Sequence, residues 1–116
     1  MEIKLKDEGA VVVMNLSGRL DLASGSGLKE QVKELLDKER SLLHLNLSGV
    51  DFINSSGLGV LVSIMKEARL RKGRLTLSNL ASYVNEIFEI TQLSHIFEIF
   101  PSEAEALNSY DSVGAQ

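Results

Sequence analysis

The chain has 116 residues, 44% of them hydrophobic, with 12 basic against 16 acidic side chains and a formal net charge of -4. That is one domain's worth of chain, enough to bury a core between a sheet and several helices, and its acidity argues against a nucleic-acid binder, which needs a basic stripe. Cysteine is absent and the histidines are His44 and His95, so disulfides and thiolate chemistry are excluded and a histidine-rich zinc site is disfavoured. The charged, alternating start MEIKLKDEG has no signal-peptide pattern, and no apolar run approaches the roughly 20 residues that span a bilayer. The expectation is a cytoplasmic protein that contacts neither membrane nor nucleic acid directly.

Ile3 and Leu5 alternate with Lys4 and Lys6, the pattern of a half-buried edge strand, and Asp7-Glu8-Gly9 follows as a hairpin turn. Residues 10–16 form a second, more apolar strand, and 19–22 read as a short connector. A first helix is expected from Ala23 or Ser24, although Ser24-Gly-Ser-Gly27 is a poor start by propensity. From Leu28 onward, Leu28, Val32, Leu35 and Leu36 make one apolar stripe. Residues 41–47 are a leucine-rich strand of the kind covered on both faces of a parallel sheet. A central helix follows over about 57–72, with Gly73 as its C′ residue. Next come a strand at 74–78, a helix at 80–90, a connector at 91–95 and a strand at 96–100. Ser102 with Glu105 is a capping-box pattern for a last helix of about 103–108. The domain is expected to end at 108, with 109–116 as a frayed tail. The order β-β-α-β-α-β-α-β-α predicts an α/β fold. Its elements are a mixed, largely parallel sheet of about five strands, an N-terminal hairpin at the edge and about four helices.

The stretch 44–68 organises the rest. It passes from an apolar strand through a polar turn with adjacent Ser55 and Ser56 into a helix opened by Gly57. Partners of such a sheet approach the carboxyl ends of its parallel strands, where the Asn54-Ser-Ser-Gly57 turn and Asp21 both fall. Asn54, Ser55 or Ser56 serves as the N-cap, and the free amides of a first helical turn also suit an anion or a modified hydroxyl. Leu58, Leu61, Val62, Met65 and Ala68 form the stripe that should face the sheet. That leaves Val60 and Ile64, one turn apart beside the serines, as an apolar contact surface for a partner.

Catalytic readings find little support. A nucleophilic serine needs a base in reach, nothing places His44 or His95 beside the serines, and Gly-x-Ser-x-Gly is absent. Gly57 and Gly59 fall short of a dinucleotide fingerprint, and no P-loop lysine follows them. Asp51, a lone carboxylate, is expected to bond a loop amide or a local hydroxyl. No cofactor or metal is implied. Phosphate on Ser55 or Ser56 would add about -1.5 to -2 charges at a helix N-terminus. The helix tolerates that charge, whereas a partner packed on the turn does not, which describes a switch.

These residues resemble those of bacterial anti-sigma factor antagonists, the anti-anti-sigma group of the STAS domains, from about residue 2 to 107. The resemblance is carried by Leu16-Ser-Gly-Arg-Leu-Asp21, Leu45-Asn-Leu-Ser-Gly-Val-Asp-Phe-Ile53, Asn54-Ser-Ser-Gly-Leu-Gly59 with Val60-Leu61, Leu75-Thr-Leu-Ser-Asn79, and Ile87-Phe88. It implies a non-catalytic domain of about five strands and four helices, phosphorylated on the serine directly before the glycine, here Ser56. It implies as partner an anti-sigma factor with serine kinase activity, bound by the unphosphorylated form and released on phosphorylation. A PP2C-type phosphatase would restore binding. Together with the turn and the Val60–Ile64 pair read above, the expected partner-binding residues are Asp21, Asn54, Ser55, Ser56, Gly57, Val60 and Ile64. Asn54 stands where the family usually has aspartate, and Arg19 where it commonly has glutamate. The alternative is a STAS sensing or scaffold module that binds a nucleotide or another regulatory protein.

Overall fold

Five strands form one sheet in chain order: β1 (Glu2–Glu8), β2 (Val11–Leu20), β3 (Leu42–Ile53), β4 (Arg74–Ser78) and β5 (Glu98–Phe100). The structure is a computed structural model and describes residues 1–114. β1 and β2 make an antiparallel hairpin at one edge, and every later neighbour pair is parallel, as the order of elements predicts. Helices α1 (Leu22–Asp37), α2 (Ser55–Leu70) and α3 (Ser82–Ile90) fill the crossovers; a 3-10 turn (Leu93–His95) precedes β5, and α4 (Glu103–Gly114) follows it. Each parallel strand is added on the same side of the last, so right-handed crossovers place α1, α2 and α3 on one face. There Val12, Met14 and Leu16 of β2, Leu43, Leu45 and Leu47 of β3, and Leu75 and Leu77 of β4 meet Leu28, Leu61, Met65 and Phe88 in one core.

Several boundaries differ from expectation for definable reasons. β2 and β3 run on to Leu20 and Ile53 because the polar break at Ser48-Gly49 is absorbed as bulges. Pairing passes from Asn15↔Asn46 to Ser17↔Gly49 and from Gly18↔Val50 to Arg19↔Phe52, so β3 carries one extra residue at each place. Helix α1 starts earlier, at Leu22, because the serine that weakens its propensity also caps it. Asp21 accepts from the Ser24 amide, and the Ser24 hydroxyl accepts from the Asp21 amide. At the end of α2 the left-handed residue is Lys72 (φ 59°) rather than Gly73. Gly73 is needed for room: a Cβ there would lie 2.2 Å from the Ser41 carbonyl oxygen. Helix α4 does not stop at Asn108 but continues to Gly114, and Tyr110, expected in a frayed tail, is buried. Of that tail, residues 115 and 116 lie outside the described residues.

Tyr110 is buried because α4 covers the opposite face of the sheet, where the alternation of β3 places His44 rather than leucine. The Tyr110 hydroxyl donates to the Leu43 carbonyl, Thr76 Oγ1 lies 2.9 Å from that hydroxyl, and His44 Nδ1 lies 2.7 Å from Thr76 Oγ1. His44 Nε2 in turn lies 2.7 Å from Ser78 Oγ, which donates to Asn79 Oδ1 at 2.7 Å, so both ring nitrogens meet a hydroxyl in a buried polar chain. Glu103, on α4, accepts from Lys6 of β1 (2.8 Å) and Asn46 of β3 (3.0 Å) and flanks this layer.

Burial holds the His44 imidazole down to about 4 from its ordinary 6.5; Glu103 opposes the shift and Lys6 adds to it. His44 is therefore neutral in the fold and binds its proton more readily when unfolded. Its contribution to stability is complete above pH 6.5 and is lost as pH falls toward 4, at up to about 1.4 kcal/mol per pH unit. Urea unfolding of the wild type and His44→Gln through the mildly acidic range should show a steeper loss for the wild type. Parallel losses would remove His44 as the source.

Candidate functional site

At the carboxyl edge of the sheet, Leu20 and Ile53 are paired neighbours, so α1 and α2 begin side by side. Asp21 caps α1, and Asn54 caps α2 by accepting from the Gly57 amide at 2.9 Å. The choice among three N-cap candidates thus falls on Asn54. Ser55 and Ser56 become the first two residues of α2, both exposed, with amides that precede any intrahelical acceptor. Neither the cap nor the first turn of α2 carries an acidic side chain, leaving the positive end of the helix dipole uncompensated. Gly57 is buried because the turn lies against β2: a Cβ at that position would stand 2.2 Å from the Leu20 carbonyl oxygen. This approach fixes where the two serines emerge.

Asp21 stands at the neighbouring N-terminus without a hydrogen bond to Ser56. Its carboxylate accepts from the amide and the hydroxyl of Ser24 at 3.1 Å each, bonds that hold it below the usual carboxylate range, with Arg19 (Nε to Oδ2 3.9 Å) adding to the effect. The Arg19 guanidinium also lies 3.8 Å from the centre of the Phe52 ring, a cation–π stack that fixes an exposed positive charge at this edge. Asp51, expected to bond a loop amide or hydroxyl, is exposed and makes no such bond.

Val60 and Ile64 do not form the expected exposed surface. They are 9% and 1% exposed, because α2 packs against both the sheet and the neighbouring α1 and so buries a wider arc than one stripe. Val60 fills the space over Gly25 of α1, where a Cβ would come within 2.7 Å of its Cγ2. Ile64 lines a cleft between α1 and α2 with Val32 and Leu36. The exposed apolar groups at this edge are instead Leu22, 67% exposed at the start of α1, and Tyr83, 40% exposed in the first turn of α3. Sequence reasoning missed both: Leu22 was placed in a connector, and Tyr83 has no spacing that distinguishes it from any other helical tyrosine. The Tyr83 hydroxyl accepts from the Ile53 amide at 2.9 Å.

Neither histidine approaches the serines. Both ring nitrogens of His44 are engaged on the α4 face, and His95 is exposed in the 3-10 turn before β5. A serine without a neighbouring base is a poor nucleophile, but an exposed hydroxyl on a first helical turn can receive a phosphoryl group. Among the described residues, no helix is long and apolar enough to cross a membrane.

The STAS domain family model matches residues 2–106. This chain belongs to the STAS domain family, in its anti-sigma factor antagonist group. It is 34% identical over 105 residues to the Anti-sigma-B factor antagonist of Listeria monocytogenes, covering 90% of this chain and 91% of the relative. Among solved structures, it superposes on a Thermotoga maritima protein provisionally named an anti-sigma factor antagonist, with TM-score 0.87, 28% identity and 92% of each chain covered. The unphosphorylated anti-sigma factor antagonist SpoIIAA shares the STAS fold at TM-score 0.81 and 22% identity, over 96% of this chain and 97% of that one. The Bacillus protein SpoIIAA is also known in a phosphorylated form. The order of elements, the edge hairpin and the family read from the sequence motifs all agree with these matches.

Proposed function

We propose that this STAS domain is an anti-sigma factor antagonist whose partner is an anti-sigma factor with serine kinase activity, and that phosphorylation of Ser56 ends the complex. The observation that carries the reading is the placement of Ser56. Its hydroxyl is exposed on the first turn of α2, where the Ser55 and Ser56 amides precede any intrahelical acceptor and neither the cap nor the turn carries an acidic side chain. A phosphate there meets a favourable helix dipole, so the fold withstands the modification. A partner lying over Ser55, Ser56 and Asn54 meets a doubly charged group it has no room to hydrate. Leu22 replaces Val60 and Ile64 as the apolar contact in this reading, with Asp21 and Arg19 supplying the charges beside it. A PP2C-type phosphatase would return the protein to its binding form. The setting is cytoplasmic, and the chain itself catalyses nothing; it is what a kinase acts on.

Incubation with candidate anti-sigma kinases, ATP and magnesium tests the assignment. Phosphate incorporation should disappear in Ser56→Ala, whose far-ultraviolet dichroism should match the wild type, and should survive in Ser55→Ala. Unchanged incorporation in Ser56→Ala would overturn the choice of acceptor.

A further inference from the structure

β3 outruns β4 at the carboxyl edge. Its pairing with β4 ends at Asn46↔Ser78, whereas β2 accompanies it as far as Ile53. From Leu47 to Ile53 the side of β3 that had faced β4 has no strand beside it, and backbone groups left without partners are costly. Two side chains substitute for the missing strand. Asn46 Oδ1 accepts from the Ser48 amide at 2.9 Å, and the Tyr83 hydroxyl accepts from the Ile53 amide at 2.9 Å, across 30 residues of sequence. The next amide, that of Asn54, points the other way, 3.4 Å from the Leu20 carbonyl. The last residues before the serines are therefore held from both sides: by β2 through Asn54 and by α3 through Tyr83.

We propose that Tyr83 is a positioning residue for Ser56. By holding the Ile53 amide on the open edge, it sets the direction in which the chain leaves β3 and so where the Ser56 hydroxyl is presented to a kinase. This rests on the Ser56 reading above, but its mechanical half is independent of it. Tyr83→Phe keeps the ring and its packing and removes only the acceptor oxygen, so α3 should remain in place.

Two measurements decide the matter. Amide hydrogen exchange at Ile53 should quicken by about tenfold in Tyr83→Phe, while Met14 and Leu45, in the middle of the sheet, keep wild-type protection. The rate of Ser56 phosphorylation at saturating protein should fall about tenfold with KM within about a factor of two, because a misplaced hydroxyl loses orientation rather than affinity. Unchanged exchange at Ile53 would overturn the proposal. So would a raised KM with unchanged kcat, which would make Tyr83 a docking contact instead. If no kinase modifies wild-type Ser56, the Ser56 reading fails by itself, and the exchange measurement still decides whether Tyr83 holds the turn.

Discussion

Gly57→Ala should destabilise the protein by about 3 kcal/mol, the largest effect expected of any one-methyl change near the serines. The new Cβ would lie 2.2 Å from the Leu20 carbonyl oxygen, 2.8 Å from its carbon and 3.1 Å from the Leu20 Cγ. None of these atoms can step aside. Leu20 is fully buried, its strand is paired with β3 to the last residue, and its carbonyl receives the Asn54 amide. Relief would have to come from lifting the start of α2 off β2, which opens the core beneath Leu58 and Leu61. Gly59, two residues on, supplies the control. It is exposed and nothing lies within 4 Å of its would-be Cβ, so Gly59→Ala should stabilise the helix by about 1 kcal/mol. Urea unfolding of both variants measures the contrast. Equal midpoints would show that the close approach at Gly57 is not what constrains it.

Ser56→Asp should leave stability unchanged or slightly raised and lower affinity for the anti-sigma kinase by about 100-fold. The stability half follows from position: a carboxylate in the first turn of a helix gains about 0.3–1 kcal/mol from the dipole. Ser56 is exposed, so the larger side chain meets no packed neighbour. The affinity half follows from what a partner would have to do, which is to desolvate a new charge at the centre of its footprint. Calorimetric titration of the kinase with wild type and variant reads the difference, and equal affinities would remove the electrostatic switch from the account. The two adjacent substitutions are thus expected to separate cleanly, Gly57→Ala through folding and Ser56→Asp through binding.

The strand and helix order was legible because hydrophobic period changes sharply along this chain, from alternation at Ile3 and Leu5 to the spacing of Leu28, Val32 and Leu35. The motif around Asn54, Ser55 and Ser56 was legible for a different reason: polar residues between a leucine strand and an apolar helix mark a helix start wherever they occur. What was hidden depended on a second element. Val60 and Ile64 look exposed when α2 is placed against a sheet alone and become buried once α1 lies beside it. The capping of α1 by Asp21 was obscured because Ser24 and Gly25 lower helix propensity, even though Ser24 completes the cap. The reach of α4 was lost because Tyr110 answers to a buried layer on β3 and β4, more than thirty residues away, rather than to a stripe of its own. The bond between Tyr83 and Ile53 leaves no trace in local pattern, since it compensates for a strand that stops short.

The strands lie across the sheet in the order in which they occur along the chain. Each therefore joins a neighbour already made, and no early strand waits with both edges open for a late one. A chain emerging from the ribosome can widen its sheet one strand at a time from the N-terminal hairpin, with short loop closures at each step. The serine turn is synthesised in the middle of this sequence, after β2 and β3 but before α3. Its hydroxyl therefore exists on a nascent chain before Tyr83 arrives to hold Ile53, and the turn acquires its final restraint only when the third crossover helix docks. Full restraint of the serine turn is thereby tied to the docking of α3, before the last strand is added.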